Sequence, residues 1–168
     1  MSDEKAFYGK YRGVVTDTDD PLMQGRIMAR VPEVWGSGES WALPCVPFAG
    51  NGMGFFGLPD TGAGVWIEFE HGDPDHPIWT GACWGSTAEV PSPVLTPPQS
   101  GKVLLLTSNG TSLLLDDTPG TGGITLQTST GQKIVLSSTG IEIDSGAGAK
   151  ISLKGPKVSV NDGALEVT

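Results

Sequence analysis

After Gly101 the chain is written in one repeated unit, an apolar residue, any residue, then a second apolar residue. The unit occurs as Val103-x-Leu105, Leu113-x-Leu115, Ile124-x-Leu126, Ile134-x-Leu136, Ile141-x-Ile143, Ile151-x-Leu153, Val158-x-Val160 and Leu165-x-Val167. Successive units start 10, 11, 10, 7, 10, 7 and 7 residues apart. Between them stand turn formers such as Asn109-Gly110, Thr130-Gly131, Gly155-Pro156 and Asp162-Gly163, residues that accept the backbone angles a reversal needs. Short strands with evenly placed turns predict a β-solenoid or β-prism rather than a second globular barrel. Each strand offers only two inward side chains and no second apolar layer. A single copy is therefore expected to be unable to cover its own stripe, and three intertwined chains around one axis are the simplest closed solution. The trimer core is expected at Ile124, Leu126, Ile134, Leu136, Ile141, Ile143, Ile151, Leu153, Val158 and Val160.

The repeat is set off by residues 86–100, where Pro91, Pro93, Pro97 and Pro98 rule out a central strand. This stretch reads as an extended, semi-rigid linker. It divides a domain of residues 1–85 from the repeat domain of residues 101–168.

The first domain is organised around residues 57–85. Val65, Ile67 and Phe69 alternate with Glu68 and Glu70, the period-2 pattern of a half-buried strand. Gly72-Asp73-Pro74-Asp75 turns the chain and Ile78–Trp84 returns it. Upstream, strands are expected at residues 7–18, with Tyr11, Gly13 and Val15 on one face, and at 26–34, with Ile27, Ala29 and Val31 on one face. A third, proline-interrupted strand is expected at 41–48. Met53, Phe55 and Phe56 lie in a Gly-rich connection, where they would plug the barrel or meet a partner. No window carries a helical apolar stripe. Five short strands fit a Greek-key barrel of the oligonucleotide/oligosaccharide-binding (OB) type, and the fold class is all-β.

Charge narrows the functions. The net charge is −9, and residues 1–100 hold 13 acidic and 5 basic side chains. An acidic first half repels phosphate backbones and argues against nucleic-acid binding. Cys45 and Cys83 are expected in strands as buried free thiols. The start of the chain has no apolar core of a secretory signal, and no run approaches a membrane span. A protein made in the cytoplasm is expected.

Candidate chemistry is sparse. Glu68, Glu70, His71, Asp73, Asp75 and His76 form one dense polar cluster with zinc-capable donors, but a solvated turn with an acidic strand face accounts for it. Asp17-Thr18-Asp19-Asp20 lacks the glycine and distal glutamate of a calcium loop. Asp116-Asp117 and Glu142-x-Asp144 could pair as glycosidase carboxylates, yet outward positions on thin strands ordinarily face solvent. No enzyme, metal or cofactor is expected.

The chain resembles the spike proteins of contractile injection machines: phage baseplate assembly protein V, the T4 phage cell-puncturing protein and the VgrG spike of type VI secretion. The resemblance rests on Gly25-Arg26-Ile27-x-x-Arg30-Val31-Pro32, the Trp41 strand, Gly57-Leu58-Pro59-x-x-Gly62, and Val65-Trp66-Ile67-Glu68-Phe69-Glu70-x-Gly72-Asp73-Pro74-Asp75-x-Pro77-Ile78 leading to Gly81. The signature positions are Val65, Ile67, Phe69, Gly72, Asp73, Pro74, Pro77 and Gly81. The resemblance implies a minimal homotrimeric spike, with neither lysozyme insertion nor preceding hub domain, in the baseplate of a phage tail or similar injection particle. It implies OB barrels docked on a separate hub protein, a needle driven through the target-cell membrane, and a PAAR-type tip seated on Leu165 and Val167. Two other readings stand beside it. One is a trimeric carbohydrate-binding or carbohydrate-cleaving fibre, which predicts exposed aromatics on the prism, although residues 101–168 contain no Phe, Trp or Tyr. The other, an OB-fold nucleic-acid binder, has the wrong charge sign.

Overall fold

The computed structural model describes residues 5–167. The chain is all-β and forms two compact units, residues 1–89 and 90–168.

In the first unit β1 (Tyr11–Asp17), β2 (Ile27–Arg30) and β3 (Glu39–Pro44) are followed by a minimal hairpin of β4 (Ala49–Gly50) and β5 (Met53–Gly54). The long hairpin β6 (Gly64–Phe69) and β7 (Pro77–Cys83) completes it. The barrel closes in the order β1-β2-β3-β7-β6. All its pairings are antiparallel except β3 with β7, where Leu43 stands opposite Ile78. That is the OB fold. Alternation puts Val15, Ile27, Ala29, Val31, Ala42, Val65, Ile67, Phe69 and Trp79 inside. Gly13 also points inward, because a Cβ there would lie 3.1 Å from Ile67 and 3.2 Å from the Arg30 carbonyl.

Four local expectations are corrected. The second strand stops at Arg30, since Pro32 opens a single helical turn, α1 (Pro32–Trp35), as its missing N–H and fixed φ favour. Met53, Phe55 and Phe56 are exposed and do not plug the barrel. The barrel end is filled instead by Phe7, Tyr11 and Trp35, whose rings lie 5.5–6.0 Å from that of Phe69, with Trp35 perpendicular to it. Cys45 is exposed, because strand alternation gives it the outward parity of Leu43. The segment after the barrel is not uniformly extended either. It contains one helical turn, α2 (Ser92–Leu95), with Pro93 in its first turn.

In the second unit all eight apolar units are strands: β8 (Lys102–Leu106), β9 (Ser112–Asp116), β10 (Gly123–Gln127), β11 (Lys133–Ser137), β12 (Gly140–Asp144), β13 (Lys150–Lys154), β14 (Lys157–Val160) and β15 (Leu165–Val167). They form one antiparallel sheet in strict chain order. Each strand hydrogen-bonds to its own chain neighbours, so the ladder is complete within one copy.

Candidate assembly surfaces

Register turns the repeat into two unbroken apolar columns on one face of the sheet. One runs Val103, Leu115, Ile124, Leu136, Ile141, Leu153, Val158, Val167. The other runs Leu105, Leu113, Leu126, Ile134, Ile143, Ile151, Val160, Leu165. The intervening residues Thr125, Val135, Glu142, Ser152 and Ser159 face the other way. The exposure is inverted relative to an ordinary sheet. From Ile124 to Val158 the column residues are 37–44% accessible, while the residues between them on the strands are half-buried or buried. All nine buried apolar residues described lie in the barrel and none in the sheet unit. Along the second column the sheet forms an open trough of about 710 Å³ floored by Leu126, Ile134, Ile143, Ile151 and Val160. All ten expected core residues lie on this face. Leu165 and Val167 end the two columns, each 60% exposed.

On the opposite face Glu142, Asp144 and Asp116 are engaged by lysines. Lys150 Nζ lies 3.3 Å from Glu142 and 3.6 Å from Asp144, and its hydrogen bond to Glu142 raises its pKa. Asp116 accepts from the Thr118 hydroxyl and amide and lies 3.9 Å from Lys102. The Thr118 hydrogen bonds, above all, hold its carboxyl below the usual range. Glu142, Asp144 and Asp116 are thus each within 4 Å of a lysine.

At the barrel, each signature residue has a geometric role. Val65, Ile67 and Phe69 fill the core, and Pro77 is buried at the start of β7. Gly72 has φ +78°, and a Cβ there would lie 3.1 Å from Ala6, the Phe7 amide and Tyr8. Phe7 N–H donates to Gly72 O at 2.8 Å, and Trp35 Nε1–H donates to Pro74 O at 3.3 Å. The turn is thus strapped from both sides. Asp73 accepts from the Asp75 amide and pairs with His76, both at 2.9 Å. The first of these contacts does most to lower its pKa. Gly81 sits where the β6–β7 register slips between Trp66 and Ile67. Glu68 is held by Lys10 at 2.9 Å. The polar cluster of this hairpin therefore disperses into pairs. Among the described residues no three His, Cys, Asp or Glu side chains are grouped to hold a metal ion.

One organising group was invisible in the sequence pattern. Asp20 is buried in the β1–β2 loop and accepts from the amides of Leu22, Gln24 and Arg26, and from Arg26 Nε and Nη2. Arg26 in turn stacks 5.2 Å from the Trp41 ring. The Arg26 guanidinium is the main reason the Asp20 carboxyl is held far below its ordinary pKa. Only a spacing of six residues links Asp20 to Arg26, and no turn motif announces it.

Two family models match the chain. Residues 11–84 match the type VI secretion system/phage-baseplate injector OB domain, and residues 102–166 match the phage baseplate V C-terminal trimerisation domain. No curated protein matches the chain.

Proposed function

The chain belongs to the phage baseplate V family of trimeric baseplate spike proteins, and from that premise we propose that it is the membrane-puncturing spike of a contractile injection machine. The observation that carries this reading is the two-column apolar face left open by a ladder already complete within one copy. Covering it requires other copies. A buried aliphatic side chain contributes about 1.5–3 kcal/mol. With about two-fifths of that still to gain, sixteen column side chains per copy offer on the order of 10–20 kcal/mol.

Three such faces turned inward make a prism whose axis follows the columns. The trimer core is then Ile124 to Val160 on both columns, with the lysine–carboxylate face outward. Eight strands stacked at about 4.8 Å give a shaft of about 34 Å, slightly more than the roughly 30 Å hydrocarbon core of a bilayer. The barrels dock on a separate hub protein. At the far end, three copies of Leu165 and Val167 present an apolar triangle suited to the apolar base of a PAAR-type tip. The needle acts by its stiffness and carries out no chemistry, in keeping with the structural character of the matched families. The protein is made in the cytoplasm and joins the baseplate there.

Light scattering on the full chain tests the reading. A particle three times the 17.4-kDa chain is expected. A folded monomer would overturn it.

A further inference from the structure

The barrel carries an apolar patch that its own core does not use. Residues 40–59 contain no Asp, Glu, Lys or Arg, yet most of this stretch from Leu43 onward is at the surface. Its exposed members are Phe48, Met53, Phe55 and Phe56, and the β1–β2 loop adds Leu22 and Met23, the last 91% accessible. These two segments are the walls of one groove of about 520 Å³ with Trp79 in its lining. The groove is held in shape. Trp79 Nε1–H donates to Gly25 O at 3.2 Å. Gly25 has φ +76°, and a Cβ there would lie 3.2 Å from the Phe56 ring. A Cβ on Gly50 would be equally close to Met53. Aromatic and Met side chains are thus seated on glycines, exposed and already ordered. Met23 itself sits at φ +52°, in a loop pinned by the buried Asp20–Arg26 pair. Backbone strain held in place by a buried network is a mark of a surface with a task.

Charge selects the occupant. Residues 1–100 are net −8, from 13 acidic and 5 basic side chains. Identical acidic bodies repel wherever charged faces meet, so a contact between copies needs a neutral face, and this patch is one. The trimerisation domain on the same chain tethers three barrels together, so contact between them becomes an intramolecular event at high effective concentration. A side chain close to a threefold axis meets its own two copies, so one neutral apolar loop suffices for closure. We infer that the Met23–Met53–Phe56 patch is the barrel-to-barrel contact of the trimer, with three β4–β5 hairpins meeting on the common axis. The inference rests on the trimeric reading above, and a second copy of this chain is its occupant.

The test is disulfide trapping in the full chain with Cys45→Ser and Cys83→Ser. Met53→Cys is oxidised with copper phenanthroline and run on a denaturing, non-reducing gel. A covalent dimer is expected, reversed by reductant and unchanged in yield over a hundredfold dilution. Phe56→Cys serves as a second variant in case Met53→Cys misfolds, and Tyr8→Cys is the uncrosslinked control. A particle that is trimeric by light scattering yet gives no cross-link at either position overturns the inference alone. So does a Met53→Cys thiol that stays open to maleimide in that trimer, which leaves the patch to a different protein. A monomer overturns the inference and the trimeric reading together.

Discussion

Arg26 Nη2 lies 2.6 Å from Asp20 Oδ1, and both side chains are largely withdrawn from solvent. A carboxylate that satisfies three backbone amides and one guanidinium holds a whole loop in shape. Asp20→Ala leaves Arg26 without its partner and those amides without an acceptor. It is expected to lower the melting temperature of the barrel on the order of 10 °C, measured by calorimetry, with Asp20→Asn losing less.

The same pair sets an acid limit. The folded-state pKa of Asp20 is depressed, so its contribution is fully present above the unfolded carboxylate range and is lost as pH falls toward the folded value. Glu39, held by Arg30, and Asp73 shift in the same direction. Stability of the barrel should therefore fall as pH drops below about 4. In Asp20→Asn that slope should be shallower in an acid titration followed by Trp fluorescence.

The two faces of the sheet should respond oppositely to charge. Ile134→Asp puts three carboxylates into an apolar interior and is expected to abolish the trimer in light scattering. Thr125→Asp, on the other face, should leave it intact. The reverse pattern would place the other face inward, and equal effects would mean that the column face is not the sole trimer core.

Gly140 has φ +138°, and a Cβ there would come within 2.1 Å of the Leu153 carbonyl oxygen. No side-chain motion relieves a clash with backbone. Gly140→Ala should disturb the β12–β13 ladder and lower the unfolding temperature of the sheet unit by several degrees, while Gly148→Ala, at φ +102° but with open space around its Cβ, should cost less.

At the far end, Leu165→Asp is expected to release a bound tip protein in a pull-down while the trimer persists. Loss of the trimer would mean that β15 belongs to the core.

The apolar-x-apolar units revealed the sheet unit because a two-residue period maps directly onto strand faces. All eight became strands, and their pairing in chain order follows from short turns that leave no room for crossing. The barrel was legible for the same reason at Val65, Ile67 and Phe69, whose alternation is uninterrupted. What stayed hidden is whatever depends on contacts distant in sequence. Trp35 reaches Phe69 and Pro74 from a helical turn that read as the end of a strand. In the sequence Asp20 is one more carboxylate beside Asp17 and Asp19, and only burial separates it from them. Met53, Phe55 and Phe56 were visible as apolar residues in a loop, but sequence could not say that Phe7, Tyr11 and Trp35 already filled the space they might have taken.

The meander of β8–β15 has a mechanical consequence. Every connection is a hairpin to the adjacent strand, and no segment bridges distant ones. Tension applied at the C-terminal end would strip the strands away singly, each yielding its own ladder and its own two column side chains. Compression along the columns loads all seven ladders and both columns at once. A sheet connected this way resists load along its columns better than a pull on its last strand.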